Sequence, residues 1–146
     1  MKNVSKKVWI FAAIAIIGLA LILPAQATKT MTGKDFVAEC KPNIKSITVS
    51  EARTLHDSGD WVFLDVRTEK EFKKGAIPNA LHIQRGVLEF KVEKKLPDKT
   101  AKIVVYCKSG SRATLCSCAL KRMGYINVVC MDGGWKGWVK EGHPVA

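Results

Sequence analysis

Cys107 stands at the junction between an apolar run and a helical run. Residues 103–106 are apolar and predict a buried strand. Residues 112–123 carry helix-forming and apolar side chains, and Gly124 is placed to end that helix. The short loop between these elements therefore begins with a cysteine and leads into a helix N-terminus. In open parallel sheets, ligands bind beyond the carboxyl ends of the strands, which is the position expected for Cys107.

The loop that starts at Cys107 is suited to an anion. Backbone N–H groups at a helix N-terminus have no partner within the helix, and the helix dipole adds partial positive charge there. A thiol in such a loop ionises more readily than an ordinary thiol. We therefore predict that Cys107 is a catalytic residue. The anion cradle predicted around it consists of Lys108, Ser109, Gly110, Ser111 and Arg112.

Three motifs occur in order along residues 47–146. The first combines Asp65-Val66-Arg67, Glu71-Phe72 and the run from Gly75 to Ala80. The second is the loop itself, which has the pattern C-x-x-G-x-R, and the third combines Gly133-Gly134-Trp135, Trp138 and Gly142-His143-Pro144. This ordered set resembles the single-domain rhodaneses, a family of sulfurtransferases. Ala76 and Asn79 depart from the histidine and glycine that the family usually has at these positions.

The resemblance implies a fold, an activity and residue roles. It implies a rhodanese-like α/β fold, with a parallel sheet of about five strands covered by helices on both faces. The active loop would join a central strand to the following helix. Cys107 would take a sulfane sulfur from thiosulfate, a polysulfide or a persulfide and pass it, as a cysteine persulfide, to a thiol or cyanide. Asp65, Arg67 and Glu71 would brace the loops at the sheet edge.

Hydrophobic periodicity independently predicts strands that alternate with helices, which is typical of a parallel sheet. The predicted strands cover residues 47–49, 61–66, 81–83, 103–106 and 127–131. The predicted helical segments are one capped by Ser50 and ended by Gly59, a short turn over 69–73, an amphipathic helix over 85–95, and residues 112–123. Residues 28–46 have few regular apolar positions and are predicted to form a lead segment before a rhodanese domain at 47–146.

Residues 1–27 predict a secretory signal peptide. Three lysines precede an uncharged apolar run at residues 8–23, and Ala25-Gln26-Ala27 supplies small residues for cleavage. Cleavage near Ala27 would place the protein in the periplasm or otherwise outside the cell, and the chain resembles periplasmic thiosulfate sulfurtransferases in this respect. The alternative is an uncleaved anchor, because the run is close to the roughly 17 residues that span a bilayer. The membrane would then be contacted only through this segment.

Size and charge limit the remaining possibilities. Without the signal segment the chain has the length of one ordinary domain, which excludes a tandem rhodanese. Without the three lysines of the signal segment, 21 basic and 13 acidic residues remain (24 − 3 = 21), and this net charge of +8 indicates a well-solvated surface that would also attract small anionic sulfur donors. Nucleic acid is not an expected partner, because the lysines are scattered along the chain. The expected chemistry needs no metal or organic cofactor, and His56, His82 and His143 lack the spacing of metal ligands.

Five cysteines in an exported chain fit one reactive thiol and up to two disulfides. Cys116 and Cys118 point to different faces of one helix and cannot easily bridge each other. Cys116 and Cys130 are expected to be buried, so Cys40 and Cys118 are the better disulfide candidates. An alternative hypothesis is that Cys116 resolves an oxidised Cys107 as a redox switch.

Other functions share parts of this pattern. A sulfur-carrier module that delivers a persulfide to a partner protein would use the same loop, so the sequence does not separate it from an enzyme acting on small molecules.

Phosphatases and arsenate reductases also surround an anion with a cysteine and an arginine. Their loop has the pattern C-x5-R, whereas Cys107 and Arg112 define the shorter pattern C-x4-R. The shorter loop favours a sulfur-bearing target.

Overall fold

The computed structural model describes residues 30–146, so the signal segment predicted at residues 1–27 lies outside the described part of the chain. Its centre is a parallel sheet with the strand order β1-β5-β4-β2-β3. The strands are β1 (Lys45–Ile47), β2 (Val62–Asp65), β3 (Leu81–His82), β4 (Lys102–Tyr106) and β5 (Asn127–Met131). The α/β fold with five parallel strands confirms the prediction, and β4, which precedes Cys107, is the central strand.

Six α-helices accompany the sheet in residues 30–146. They are α1 (Gly33–Cys40), α2 (Val49–Ser58), α3 (Glu69–Phe72), α4 (Leu88–Lys95), α5 (Ser111–Arg122) and α6 (Gly134–Lys140), with 3-10 turns at Lys41–Asn43 and Arg85–Val87. None of the helices in this part of the chain has the length and apolar character required to cross a bilayer.

Alternation along β4 explains how the sheet buries both faces. Ile103 and Val105 belong to a hydrophobic cluster that includes side chains of α4 and α5. Val104 and Tyr106 belong to a second cluster that includes side chains of α2 and α6. Successive side chains of a strand point to opposite faces, so one central strand contributes to two cores. This double burial matches the continuous apolar run from which the strand was predicted.

Two predicted boundaries were wrong for local reasons. Strand β1 ends at Ile47, and the N-cap of α2 is Thr48 rather than Ser50. The Glu51 N–H donates to the Thr48 hydroxyl, and the Thr48 N–H donates to the Glu51 carboxylate, so a capping box starts the helix earlier. The helix predicted over 85–95 begins with the 3-10 turn and becomes α-helical only at Leu88.

The segment before β1 contains a helix, α1, that the periodicity did not predict. The helix is only eight residues long and none of its side chains is buried, so its few apolar residues are too short a run to show a helical period. A disulfide between Cys40 and Cys118 joins its last residue to α5, with the two Cα atoms 5.8 Å apart. This pair confirms the disulfide prediction. The other three cysteines are free and buried.

We expect the disulfide to contribute substantially to stability. It closes a loop between residues 78 positions apart, which restricts the unfolded chain. A double variant with Cys40→Ser and Cys118→Ser should lose about 2–4 kcal/mol of unfolding free energy in non-reducing urea denaturation. Non-reducing peptide mapping of the wild-type protein is the control. Recovery of both cysteines as free thiols, or equal stability of the double variant, would contradict the expectation.

Candidate active site

The loop after β4 holds the Cys107 thiol against the start of α5. The Gly110 N–H donates a hydrogen bond to Cys107 Sγ at 3.2 Å. Gly110 has a φ of 112°, a conformation that disfavours side chains, and α5 begins at the next residue. The thiol side chain is buried. The structure therefore confirms that the cysteine lies at a helix N-terminus, as its position in the sequence predicted.

Helix α6 holds the backbone of this loop from the other side. The Trp135 N–H donates to the Cys107 carbonyl at 2.7 Å, and the Lys136 N–H donates to the Lys108 carbonyl at 3.1 Å. Gly134 allows this approach, because a Cβ added there would lie 2.5 Å from the Cys107 carbonyl oxygen. The third sequence motif thus supplies the support for the loop of the second.

Two members of the predicted cradle, Arg112 and Gly110, are in contact with other groups of the site. The Arg112 guanidinium donates two hydrogen bonds of 2.8 Å to the two carboxylate oxygens of Glu71. The hydrogen bonds to Glu71 are the main reason why the pKa of Arg112 is raised, and the charge of Cys107 contributes less. Two of the five N–H groups of the Arg112 guanidinium are thus used by Glu71. Lys108, Ser109 and Ser111 are exposed at the mouth of the loop.

Glu71 is fixed by its own helix cap as well as by Arg112. The Thr68 N–H and hydroxyl donate to the same carboxylate at 3.0 and 2.9 Å. The Arg112 hydrogen bonds, followed by those of Thr68, hold the pKa of Glu71 well below its usual range despite partial burial. The ion pair joins residues 41 positions apart and ties α3 to the start of α5. Glu71 thereby contacts the last residue of the C-x-x-G-x-R motif.

This pair should make stability depend on pH. The folded-state pKa of Glu71 is lowered, so its contribution is fully present above the unfolded value of about 4.3 and is lost as the pH falls below it. A Glu71→Gln variant should be less stable than wild type by about 1–3 kcal/mol at pH 7. The difference should shrink between about pH 5 and pH 2 in urea denaturation. A difference that stays constant over this range would contradict the assignment.

Asp65 and Arg67 form a second, fully buried ion pair at the end of β2. Arg67 Nη2 lies 2.6 Å from Asp65 Oδ2, and Arg67 Nε lies 2.9 Å from the same oxygen. Arg67 also donates to the Gly75 carbonyl at 2.8 Å, and its guanidinium carbon lies 4.4 Å from the centre of the Trp135 ring. The pair thereby connects the first motif to α6. Burial and the Asp65 charge raise the pKa of the neighbouring Tyr106 above its usual range.

Cys116 and Cys130 have the character of packing residues. Burial raises the pKa of the Cys116 thiol to about 12 and that of the Cys130 thiol to about 11. A protonated thiol is a poor nucleophile, so burial makes these two thiols unreactive. No cluster of three or more potential metal ligands occurs within residues 30–146.

A cavity of about 420 Å³ opens beside Arg112. Its lining from α5 comprises Arg112, Leu115 and Cys116. Opposite them lie residues of the β2 end and of the segment that leads into α4, namely Val66, Thr68, Gln84, Arg85, Gly86 and Glu89. Arg85 and Glu89 were not among the predicted site residues. They belong to no local motif, and only the packing of α4 against α5 brings them to the loop.

Comparison with known proteins identifies the family to which this arrangement belongs. The rhodanese-like domain family matches residues 48–141, and the chain belongs to that family. A sulfurtransferase from Allochromatium vinosum is 30% identical over 96 residues, which cover 66% of this chain and 88% of the relative. A thiosulfate sulfurtransferase from Coxiella burnetii is 32% identical over 102 residues, covering 70% and 92% of the two chains. These relatives support a sulfur-transfer function in general.

One solved structure carries a different description. A protein of unknown function from Rhodopseudomonas palustris, described as a possible tyrosine phosphatase, matches with a TM-score of 0.76 and 30% sequence identity. The match covers 82% of this chain and 97% of that one.

Proposed function

We propose that the protein is a rhodanese-type sulfurtransferase that moves a sulfane sulfur from thiosulfate or a polysulfide to a thiophilic acceptor through a persulfide on Cys107. The observation that carries this proposal is the hydrogen bond from the Gly110 N–H to Cys107 Sγ at the start of α5. A donor aimed at this sulfur stabilises negative charge on it. The same setting suits the thiolate before transfer and the persulfide after it.

In the first half-reaction the Cys107 thiolate attacks the outer sulfur of the donor. The new bond joins Cys107 Sγ to that sulfur, while the sulfur–sulfur bond of thiosulfate breaks and sulfite leaves with its electron pair. In the second half-reaction a nucleophilic acceptor attacks the outer sulfur of the persulfide and regenerates the Cys107 thiolate. No general base is needed once the acceptor is ionised, and Asp65, Arg67 and Glu71 act in this scheme as positioning residues.

Lys108 and Arg112 have separate roles in this proposal. Lys108 is exposed at the mouth of the loop and attracts the anionic donor. Arg112 lies in the first turn of α5, directly after the loop, and is already paired with Glu71, so it supplies a fixed positive charge rather than a mobile one.

Phosphatase activity is the second candidate function, because the Rhodopseudomonas palustris structure carries that description. The pattern C-x4-R counts against it. A phosphoryl group presents several charged oxygens, whereas the Arg112 guanidinium that would bind them is held by two hydrogen bonds to Glu71. A sulfur-carrier module that serves a partner protein would share the Cys107 persulfide and differ only in its acceptor.

We also propose that the protein is exported. The predicted signal peptide supports this location, and so does the disulfide between Cys40 and Cys118, because such bonds persist in oxidising compartments. Recovery of the protein from a periplasmic or culture fraction, with a mature N-terminus near Thr28, would test the proposal. A retained N-terminus would indicate the uncleaved anchor.

The first test is the intact mass of the protein after exposure to thiosulfate, and separately to a polysulfide. We expect a gain of one sulfur atom that disappears when cyanide is added. A Cys107→Ser variant should show no gain, whereas a Cys130→Ser variant, altered at a buried thiol, should behave as wild type. No gain with either donor in a protein whose Cys107 is free would overturn the proposal. Hydrolysis of a phosphoester above the Cys107→Ser background would favour the phosphatase instead.

A further inference from the structure

The cavity beside the reactive loop contains charges of both signs that have no ion-pair partner. Arg85 and Glu89 both line it, and both side chains are exposed. Within residues 30–146 neither of them takes part in a salt bridge, although several other exposed charges do. In the same cavity, the charge of Arg112 is balanced by Glu71. Arg85 and Glu89 are therefore the charges that remain available to a ligand.

The local backbone explains why these two residues do not pair with each other. An arginine and a glutamate four positions apart on an α-helix are neighbours on one face. Arg85, however, lies in the 3-10 turn Arg85–Val87, and the α-helix starts only at Leu88. A 3-10 helix has three residues per turn, whereas an α-helix has 3.6. Arg85 therefore does not lie on the same face of α4 as Glu89. The cavity consequently presents one cation and one anion that form no ion pair with each other.

The cavity is connected to the reacting sulfur through α5. Arg112, the last residue of the motif that begins at Cys107, lines the cavity, and Cys116 lines it one helical turn further along α5. A volume of about 420 Å³ is within the range of small-molecule sites. A ligand held by Arg85 and Glu89 would thus lie beside the loop from which sulfur is delivered.

We propose that this cavity binds the sulfur acceptor, and that the acceptor is a small thiol with both an ammonium and a carboxylate group, such as a free amino-acid thiol. Arg85 binds the carboxylate and Glu89 binds the ammonium, while Gln84 offers a polar contact beside them. This inference rests on the proposed sulfurtransferase function and names the acceptor class that the function leaves open.

The transfer step balances without an oxidant. The acceptor thiol loses its proton to solvent, and its thiolate attacks the outer sulfur of the Cys107 persulfide. A sulfur–sulfur bond forms on the acceptor while the bond to Cys107 Sγ breaks and leaves its electron pair on that sulfur. The products are an amino-acid persulfide and the Cys107 thiolate, with no net oxidation or reduction.

The test uses protein that has been loaded with one sulfur and freed of donor, so that only the second half-reaction is observed. Four thiols are compared by the rate at which the added mass is lost. L-Cysteine carries both charges, 3-mercaptopropionate only the carboxylate, cysteamine only the ammonium, and 2-mercaptoethanol neither. Each rate constant for a variant is divided by that of wild type with the same thiol, which cancels the differences in thiol reactivity.

The two variants should show opposite selectivity. For Arg85→Gln, the loss of rate with cysteine and 3-mercaptopropionate should exceed the loss with 2-mercaptoethanol by about tenfold, the effect of one charged hydrogen bond. For Glu89→Gln, the loss of rate with cysteine and cysteamine should exceed the loss with 2-mercaptoethanol. An Arg122→Gln variant, altered on the exposed end of α5, should match wild type with all four thiols.

The possible outcomes separate this inference from the function it rests on. If the loaded protein transfers sulfur to cyanide but both variants reduce all four rates equally, the acceptor assignment is overturned and the sulfurtransferase function stands. If no persulfide forms on Cys107, or cyanide does not remove it, both are overturned. Both altered side chains are exposed, so we expect the variants to fold, and far-UV circular dichroism with urea denaturation verifies this.

Discussion

Replacing Arg67 with methionine should lower the free energy of unfolding by about 3–5 kcal/mol, because it leaves a buried carboxylate without its cation. Asp65 is 0% and Arg67 2% exposed, and they are joined by an ion pair of 2.6 Å. The same substitution removes the hydrogen bond to the Gly75 carbonyl and the contact with the Trp135 ring. Urea denaturation at neutral pH measures the loss.

Two further variants identify the cause of this loss. Arg122→Met removes an exposed arginine and should change stability by less than about 0.5 kcal/mol. A double variant with Asp65→Asn and Arg67→Met removes both charges and retains an oxygen that can accept from the backbone N–H of residue 67. It should be more stable than Arg67→Met alone. If the double variant is the less stable of the two, the unpaired carboxylate is not the source of the loss.

The elements that the sequence predicted well are those that periodicity and local chemistry define. Strand β5 was predicted at the residues it occupies, and β4 differs only at its first residue. Both are apolar runs buried on two faces. The position of Cys107 could be predicted because the strand, the loop and the helix that place it are consecutive in the sequence. Asn79 shows why a departure from the family motif is tolerated: its φ is 59°, and asparagine accepts this conformation more readily than most residues.

The elements that were missed depend on contacts between distant parts of the chain. Helix α6 carries glycines at 134 and 137, which disfavour a helix by propensity. It forms because Trp138 is fully buried and the first turn donates hydrogen bonds to the reactive loop. The pairing of Arg112 with Glu71 likewise has no local signal, since the capping box of Thr68 and Glu71 predicts only the start of α3. The roles of Arg85 and Glu89 follow only from the cavity.

The support that α6 gives to the reactive loop leads to the largest loss of activity predicted for a residue outside that loop. A Gly134→Ala variant should reduce the rate of sulfur transfer by about 100-fold, the effect expected when a reacting group is displaced by about 1 Å. The added Cβ would lie 2.5 Å from the Cys107 carbonyl oxygen and 3.0 Å from backbone atoms of Lys108 and Ser109. Backbone atoms cannot rotate away from such a contact, so the loop or α6 must move. Single-turnover loading of Cys107 with thiosulfate measures the loss.

Gly142→Ala is the matched control for this prediction. Gly142 has a φ of 73°, close to the left-handed conformation of Gly134 at 54°, but a Cβ added at Gly142 meets no atom within 4 Å. Both variants therefore carry a similar backbone cost, of about 1–2 kcal/mol, and only Gly134→Ala adds the clash with the loop. Gly142→Ala should retain nearly full transfer activity. Equal losses in the two variants would show that backbone strain, and not the position of the Cys107 carbonyl, limits the reaction; a larger loss in Gly134→Ala indicates that α6 sets the geometry of the reactive sulfur.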